Sequence, residues 1–223
     1  MVTPPYRMEE RERWLVARFA EPWAVASWAV VNGGWQRTDT VAWHYLHINE
    51  IAGVDDPADW MRGRMRAEGL SGAVGFMTSR RAGAWVSGAA SDGDCRVWTV
   101  GTIGLSNALR AGDSSGPIRM PGTINLLVCC SQPLTMEAGM EALALASEAK
   151  ALAMLESGVK SVRTGAAATG TGTDYLAMAW PVQGERTAYA GKHTQAGAAV
   201  GAAVYETVRR GAAEWAAEVG MRL

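Results

Sequence analysis

The order in which short apolar runs and long helix-forming runs follow one another constrains this chain more than any other feature. Up to residue 131 the apolar segments are short and rich in β-forming side chains. They cover 22–31, 38–48, 73–78, 84–89, 95–103 and 122–131, with Gly, Asp, Asn or Ser between them. Residues 105–121 are irregular and rich in Gly, Ser and Pro. A short helix is expected over 56–68, where Pro57 follows an acidic start. The two long helices, 135–156 and 194–219, come late, and Thr135 and Ser157-Gly158 punctuate the first of them. Runs of strands with few, late helices predict an α+β domain, a mostly antiparallel or mixed sheet packed against a few long helices, rather than alternating βαβ units. Residues 1–20 read as a short amphipathic helical extension, with Trp14, Leu15 and Phe19 on one side, and 21–223 as one domain. Residues 70–104 read as a strand meander. Residues 174–182 read as an apolar strand that turns at Gln183-Gly184-Glu185 into a returning strand over 187–190.

Charge and composition narrow the function classes. The 223 residues carry a formal net charge of −1, which argues against a nucleic-acid binder working through counterion release. The longest uncharged stretch, 120–136, holds two prolines and several polar residues, so it does not read as a membrane span. The charged start lacks the apolar segment of a secretion signal, and a cytoplasmic protein with neither nucleic-acid nor membrane partners is expected. Glycine is abundant at 26, and tryptophan outnumbers phenylalanine ten to two. Such a chain can bring backbone close to a ligand and offer flat apolar surface, although codon bias in a GC-rich genome has the same effect. Cys129 and Cys130 should point to opposite faces of one strand and, with Cys95, read as buried structural thiols. His44 and His47 stand three apart in an apparent strand, so they face opposite sides and read as structural.

Three local patterns carry chemistry. On the helix 135–156, Glu137, Glu141 and Glu148 share one stripe, and Lys150 falls almost opposite, among Met136, Leu143 and Met154. A lysine so placed either snorkels to the rim or projects into a pocket, where its cation could polarise a carbonyl or hold a carboxylate. The segment 164–173 has no large or charged side chain, and its Gly/Thr alternation offers N–H groups and hydroxyls to an oxyanion. It is equally readable as a tight loop of small residues. Asp174 and His193 lie ten residues before and nine after Gly184, so an antiparallel hairpin would bring them together as an acid–base pair. The alternative is a helix cap without chemistry.

Taken together, several blocks resemble the adenosylcobinamide amidohydrolases. They are Gly122-Thr-Ile-Asn-Leu-Leu127, Glu148-Ala-Lys150, Thr169-Gly-Thr-Gly-Thr-Asp174 and Tyr189-Ala-Gly-Lys-His-Thr194, followed by Gly197, Gly201 and Ala203-Val-Tyr-Glu206. Earlier blocks are Asn32-Gly33-Gly34 and Val100-Gly-Thr-Ile-Gly-Leu-Ser-Asn107, and the resemblance spans roughly 25 to 210. It implies corrinoid salvage: hydrolysis of the amide between the corrin propionyl side chain and aminopropanol, giving adenosylcobyric acid, with pseudocobalamin-type coenzymes also processed by some members. On this reading His193 is the general base, Asp174 orients it, and Lys150 stabilises the forming carboxylate. Gly170, Thr171, Gly172 and Thr173 form the oxyanion site, and Thr171 or Thr173 is a less favoured nucleophile than water. Asn32, with Gly33, and Asn107 and Asn125 hydrogen-bond the amides of the ring. No protein-bound metal or cofactor is expected, since the substrate brings its own cobalt. The rival reading is a corrinoid carrier or sensor without turnover.

Overall fold

A computed structural model describes residues 3–117 and 120–221; the outermost two residues at each end and positions 118 and 119 of the irregular stretch lie outside it. The chain opens with β1 (Tyr6–Arg11) and β2 (Trp14–Ser27), an antiparallel pair. The expected N-terminal helix is therefore sheet, and it is part of the domain rather than an extension of it. The reason lies in a period of two that a helical wheel hides. Trp14 and Val16 enter one apolar cluster while Leu15, Ala17 and Phe19 enter another, so both faces of the strand are buried. β2 continues past a register shift between Arg18 and Trp23, where Pro22 lacks the N–H a ladder needs.

β3 (Gly34–Tyr45) pairs antiparallel with β2, and α1 (Pro57–Ala67) then crosses over to β4 (Val74–Thr78), which lies parallel to β3. Asp56 caps α1 by accepting from the amides of Ala58 and Asp59, with Pro57 at the first helical position. The expected meander over 70–104 is thus broken: only β5 (Val86–Asp92) and β6 (Cys95–Ile103) form a hairpin, while β4 goes to the far edge. After β7 (Ala108–Leu109) come β8 (Ile124–Cys130) and α2 (Met136–Glu156), capped by Thr135. β9 (Gly170–Thr171) pairs with β7; β10 (Tyr175–Trp180) and α3 (Gln195–Glu218) complete the chain.

The main sheet has eight strands in the order β4-β3-β2-β10-β8-β6-β5, with β1 added on β2. It is mixed, and its two parallel pairs, β3/β4 and β8/β10, are the ones joined through a helix, as parallel neighbours require. The fold is α+β, as the sequence predicts. Alternate residues of β8 show how the layers are made: Ile124, Leu126, Val128 and Cys130 pack under α2 and α3, whereas Leu127 and Cys129 face a second core built from strands. Cys129 and Cys130 thus face opposite ways and are buried with Cys95. The second core exists because the sheet curls. Asn125 on β8 donates to the Met77 carbonyl of β4, with three strands lying between them in the sheet, at 2.8 Å. Aromatic rings fill the concavity: Trp43 beside Phe76 at 5.3 Å and Phe19 stacked on Trp23 at 4.8 Å. No helix of the described residues is long and apolar enough to cross a membrane.

His44 lies buried between Trp14 and Trp60, with ring centroids 4.5 and 5.5 Å away. His47, beyond the end of β3, is exposed. Burial first, then the Arg13 guanidinium, pushes the His44 pKa down to about 4. The unfolded chain takes up this proton near pH 6.5 and the folded chain only near 4. The contribution is complete above about 6.5 and is lost as the pH falls toward 4, a change of about 3 kcal/mol. Urea unfolding of the wild type at pH 7 and pH 4 should show this component, and His44→Leu should remove it. An identical pH dependence in the variant would refute the assignment.

Candidate active site

Only three of the 21 basic side chains are lysines, Lys150, Lys160 and Lys192, and Lys150 is buried at 8% exposure. Its place on α2 follows from the wheel: Glu137, Glu141 and Glu148 stay exposed while Lys150 turns inward. There its ammonium forms an ion pair with Asp174, at the head of β10. Of the two readings open for Lys150, projection into the interior is the one realised.

The Gly/Thr segment folds around this carboxylate. The Thr171 amide donates to both Asp174 oxygens at 3.0 and 3.1 Å, the Thr171 hydroxyl to Oδ1 at 2.6 Å, and the Ile124 amide to Oδ1 at 3.3 Å. An ion pair out of water is stable only when its remaining hydrogen-bonding capacity is satisfied, and this loop supplies that. Gly170 lies against the pair, where a Cβ would overlap both the Lys150 ammonium and the Asp174 carboxylate. Gly172 lies against the Asn107 side-chain amide and donates its own N–H to the Asn107 main-chain carbonyl at 3.3 Å. The Thr173 amide donates to the Thr171 hydroxyl at 3.3 Å, and the Thr173 carbonyl accepts from Thr123. The amides of Thr171, Gly172 and Thr173 are therefore engaged within the protein. The loop builds a seat for Asp174, in which these three amides and the Thr171 hydroxyl are already used; Lys150 is the cation at hand.

Asn107 links this seat to a cleft of about 470 Å³, lined among others by Ser106, Ser114, Met120, Val162 and Arg163. The cleft's far wall is pinned by Asp113, whose carboxylate accepts from the Ser161 hydroxyl at 2.6 Å, the Arg110 amide at 2.8 Å and the Thr164 hydroxyl at 3.0 Å. Those bonds, the Ser161 one foremost, hold its carboxyl below the usual range. A fixed ammonium, a fixed carboxylate and a hydroxyl, joined to a cleft wall through Asn107, are groups that can together polarise a carbonyl and move one proton.

The structure does not bring the other expected residues here. His193 is exposed at the start of α3 and lines a separate depression with Glu141, Tyr189 and Lys192. The hairpin that was to join it to Asp174 cannot form, because β10 already pairs with β8 on one edge and β2 on the other, and Thr187 bridges to Leu134 instead. Asn32 uses its amide on the Ser71 and Ala73 carbonyls at 2.9 and 2.7 Å, so it supports a turn. Gly33 belongs to the same turn, where a Cβ would press on the Ala29 carbonyl. Asn125 is fully buried between β8, β6 and β4, out of reach of a ring's amides. Three contributors escaped the sequence reading: Thr123, the Ile124 amide and Trp28, whose indole N–H donates to the Asp174 carbonyl at 2.8 Å. Thr123 and Ile124 lie inside a block already singled out; nothing local marked Trp28 among ten tryptophans.

Removing one partner of a buried pair strands the other charge, so the costs of the two single removals should not add. Lys150→Met is expected to lose about 3 kcal/mol in urea unfolding, and Lys150→Met/Asp174→Asn clearly less than the two single losses combined. Simple additivity would mean that the contact contributes no coupling.

A model of the adenosylcobinamide amidohydrolase family matches residues 3–219 of the chain. No curated protein matches it. Among solved structures it is similar to the PH0078 protein from Pyrococcus horikoshii OT3, at 13% identity and a TM-score of 0.46, covering 97% of this chain and 80% of that one. It is also similar to the L-aminopeptidase D-Ala-esterase/amidase of Ochrobactrum anthropi, described as a prototype for the serine aminopeptidases and a new variant among the Ntn hydrolase fold. That likeness is 12% in identity with a TM-score of 0.42, over 93% and 82% of the two chains.

Proposed function

Because the chain belongs to the adenosylcobinamide amidohydrolase family, and so is an amide-hydrolysing enzyme, we propose that it cuts the amide between the corrin propionyl side chain and aminopropanol, releasing adenosylcobyric acid. The same bond in pseudocobalamin-type coenzymes falls within this reading. The observation that carries it is the buried Lys150–Asp174 pair, whose seating loop is bonded through Gly172 to Asn107 in the wall of an open cleft.

In this reaction the Lys150 ammonium donates to the substrate carbonyl oxygen. A water oxygen bonds to the carbonyl carbon as one water proton passes to Asp174. Lys150 holds the resulting alkoxide, where a fixed cation in a partly dry site acts far more strongly than in bulk water. The C–N bond then breaks as Asp174 returns the proton to nitrogen, leaving a carboxylic acid on the ring and free aminopropanol; the acid passes its remaining proton to the released amine and becomes the carboxylate. No protein-bound metal enters this scheme; the only metal is the substrate's cobalt. A second reading is favoured by the 2.6 Å bond from the Thr171 hydroxyl to Asp174: Thr171 itself attacks and passes its proton to that carboxylate, which returns it to the nitrogen as the C–N bond breaks and the amine leaves, and water then cleaves the ester left on Thr171.

Mass spectrometry of adenosylcobinamide incubated with the protein should show adenosylcobyric acid, with or without a chelator. Lys150→Met and Asp174→Asn should each lower kcat about a hundredfold or more, while His193→Ala stays within about threefold of wild type. Loss of turnover in His193→Ala alone would refute this assignment of roles. Thr171→Val distinguishes the two readings: water attack tolerates the loss to within about tenfold, and a threonine nucleophile does not. Corrinoid that binds and emerges unchanged would make the protein a carrier.

A further inference from the structure

Six of the ten tryptophans are buried, Trp60 and Trp85 are half-buried, and only Trp28 and Trp35 are exposed, at 43% and 41%. Trp35 meets the ring of Trp180 edge-on at 5.7 Å. Trp28 makes no such ring contact among the described residues, and its single polar atom is already used. The indole N–H donates to the main-chain carbonyl of Asp174, the residue whose carboxylate holds Lys150. A large apolar ring is thus held at the candidate catalytic residues with much of its surface open to solvent.

The segment carrying it is built to stay in place. The Ser27 hydroxyl donates to the Leu176 carbonyl of β10 at 2.8 Å and accepts the Ala29 amide at 2.9 Å, so the residues on both sides of Trp28 are tied to one anchored hydroxyl. Behind it, Gly33 lies so close to Ala29 that no side chain fits between them, and Asn32 adopts a positive φ of 53° with its amide bonded to two carbonyls. The Asn32-Gly33-Gly34 block therefore fixes the turn that presents Trp28, without itself approaching the cleft. Exposing a tryptophan forgoes the burial that six others in this chain achieve, and anchoring it adds a loss of rotamer freedom. An exposed and immobilised flat ring next to reacting groups is what recognition of a flat ligand requires.

We infer that Trp28 is a substrate-binding residue, a platform on which the face of a flat macrocycle rests while its amide-bearing side chain reaches Lys150 and Asp174. The inference rests on the function proposed above and adds to it the residue that holds the ring. A side chain acting only through its hydrogen bond to Asp174 would affect the chemical step. A platform affects binding.

The test compares Trp28→Phe, which keeps a flat ring but loses the N–H, with Trp28→Leu, which loses both. With adenosylcobinamide as the probe, Trp28→Leu should raise KM about tenfold, more than it lowers kcat, and Trp28→Phe should lie much nearer wild type in KM. Quenching of tryptophan fluorescence by the bound corrinoid gives a second readout: Trp28→Phe should bind with nearly wild-type affinity but show a smaller quench. Thermal unfolding of both variants verifies that they fold; should Trp28→Leu not fold, the quench and KM of Trp28→Phe decide alone. Equal losses of kcat in both variants with KM unchanged would overturn the platform and leave only a positioning bond. A wild-type protein that hydrolyses adenosylcobinamide while Trp28→Leu behaves identically would overturn this inference but not the proposed function. Neither hydrolysis nor binding by wild type would overturn both.

Discussion

The contact between the Lys150 ammonium and the Asp174 carboxylate organises everything around it. It ties α2 to the head of β10, and the carboxylate's remaining acceptor capacity draws in the Thr171 amide and hydroxyl and the Ile124 amide of β8. Desolvating two charges is costly, and such a pair persists only where each oxygen finds donors. That requirement accounts for the composition of 164–173: small residues let the loop wrap the carboxylate, and Gly170 is where any side chain would push the pair apart. A lysine suits this position better than one of the eighteen arginines, because a compact ammonium fits a narrow seat and can turn its donors toward an arriving oxygen.

The pair stands where it does because of two features of topology. β8 and β10 are parallel neighbours, so the chain must cross over between them, and α2 is that crossover. A residue on its inner face is thereby delivered to the end of β10. β10 is also internal to the sheet, with β2 on its other edge, so the chain after Trp180 has no ladder to join and runs off to the start of α3. The reacting groups proposed here accordingly sit on a long helix and at the head of a central strand. Such elements hold catalytic geometry better than loops do. The loops are left to form the cleft, where Asp113 pins the far wall and Asn107 the near one.

How much of this was legible depended on whether the determining interaction was local. Thr135 and Thr194 cap α2 and α3 through bonds to amides three residues on, and both helices begin where the sequence predicts. Residues 1–20 misled because an apolar stripe on a helix and two buried faces of a strand can be written in the same letters; what separates them is a partner on each side, here β1 and β3. The inward phase of Lys150 could be read from the wheel, but its partner is 24 residues away and was assigned to His193 by a hairpin that the sheet order forbids. Asn125 read as a ligand-binding amide because nothing in its neighbourhood reveals the Met77 carbonyl brought to it by the curl of the sheet.

By itself, then, the amino-acid sequence determined the α+β class, the late helices and their caps, the place of Lys150 on the helix side opposite the glutamates, the opposed burial of Cys129 and Cys130, and the set of blocks that mark the family. These follow from backbone propensity, side-chain period and residue identity, which act over a few residues. Tertiary structure alone decided that β4 leaves the meander for the far edge, that Asp174 meets Lys150 and not His193, and that Trp28 among ten tryptophans is exposed and anchored beside them. Those outcomes depend on which strand edges remain unpaired once the sheet has formed and on which groups its curvature brings together, and no local stretch of sequence encodes either.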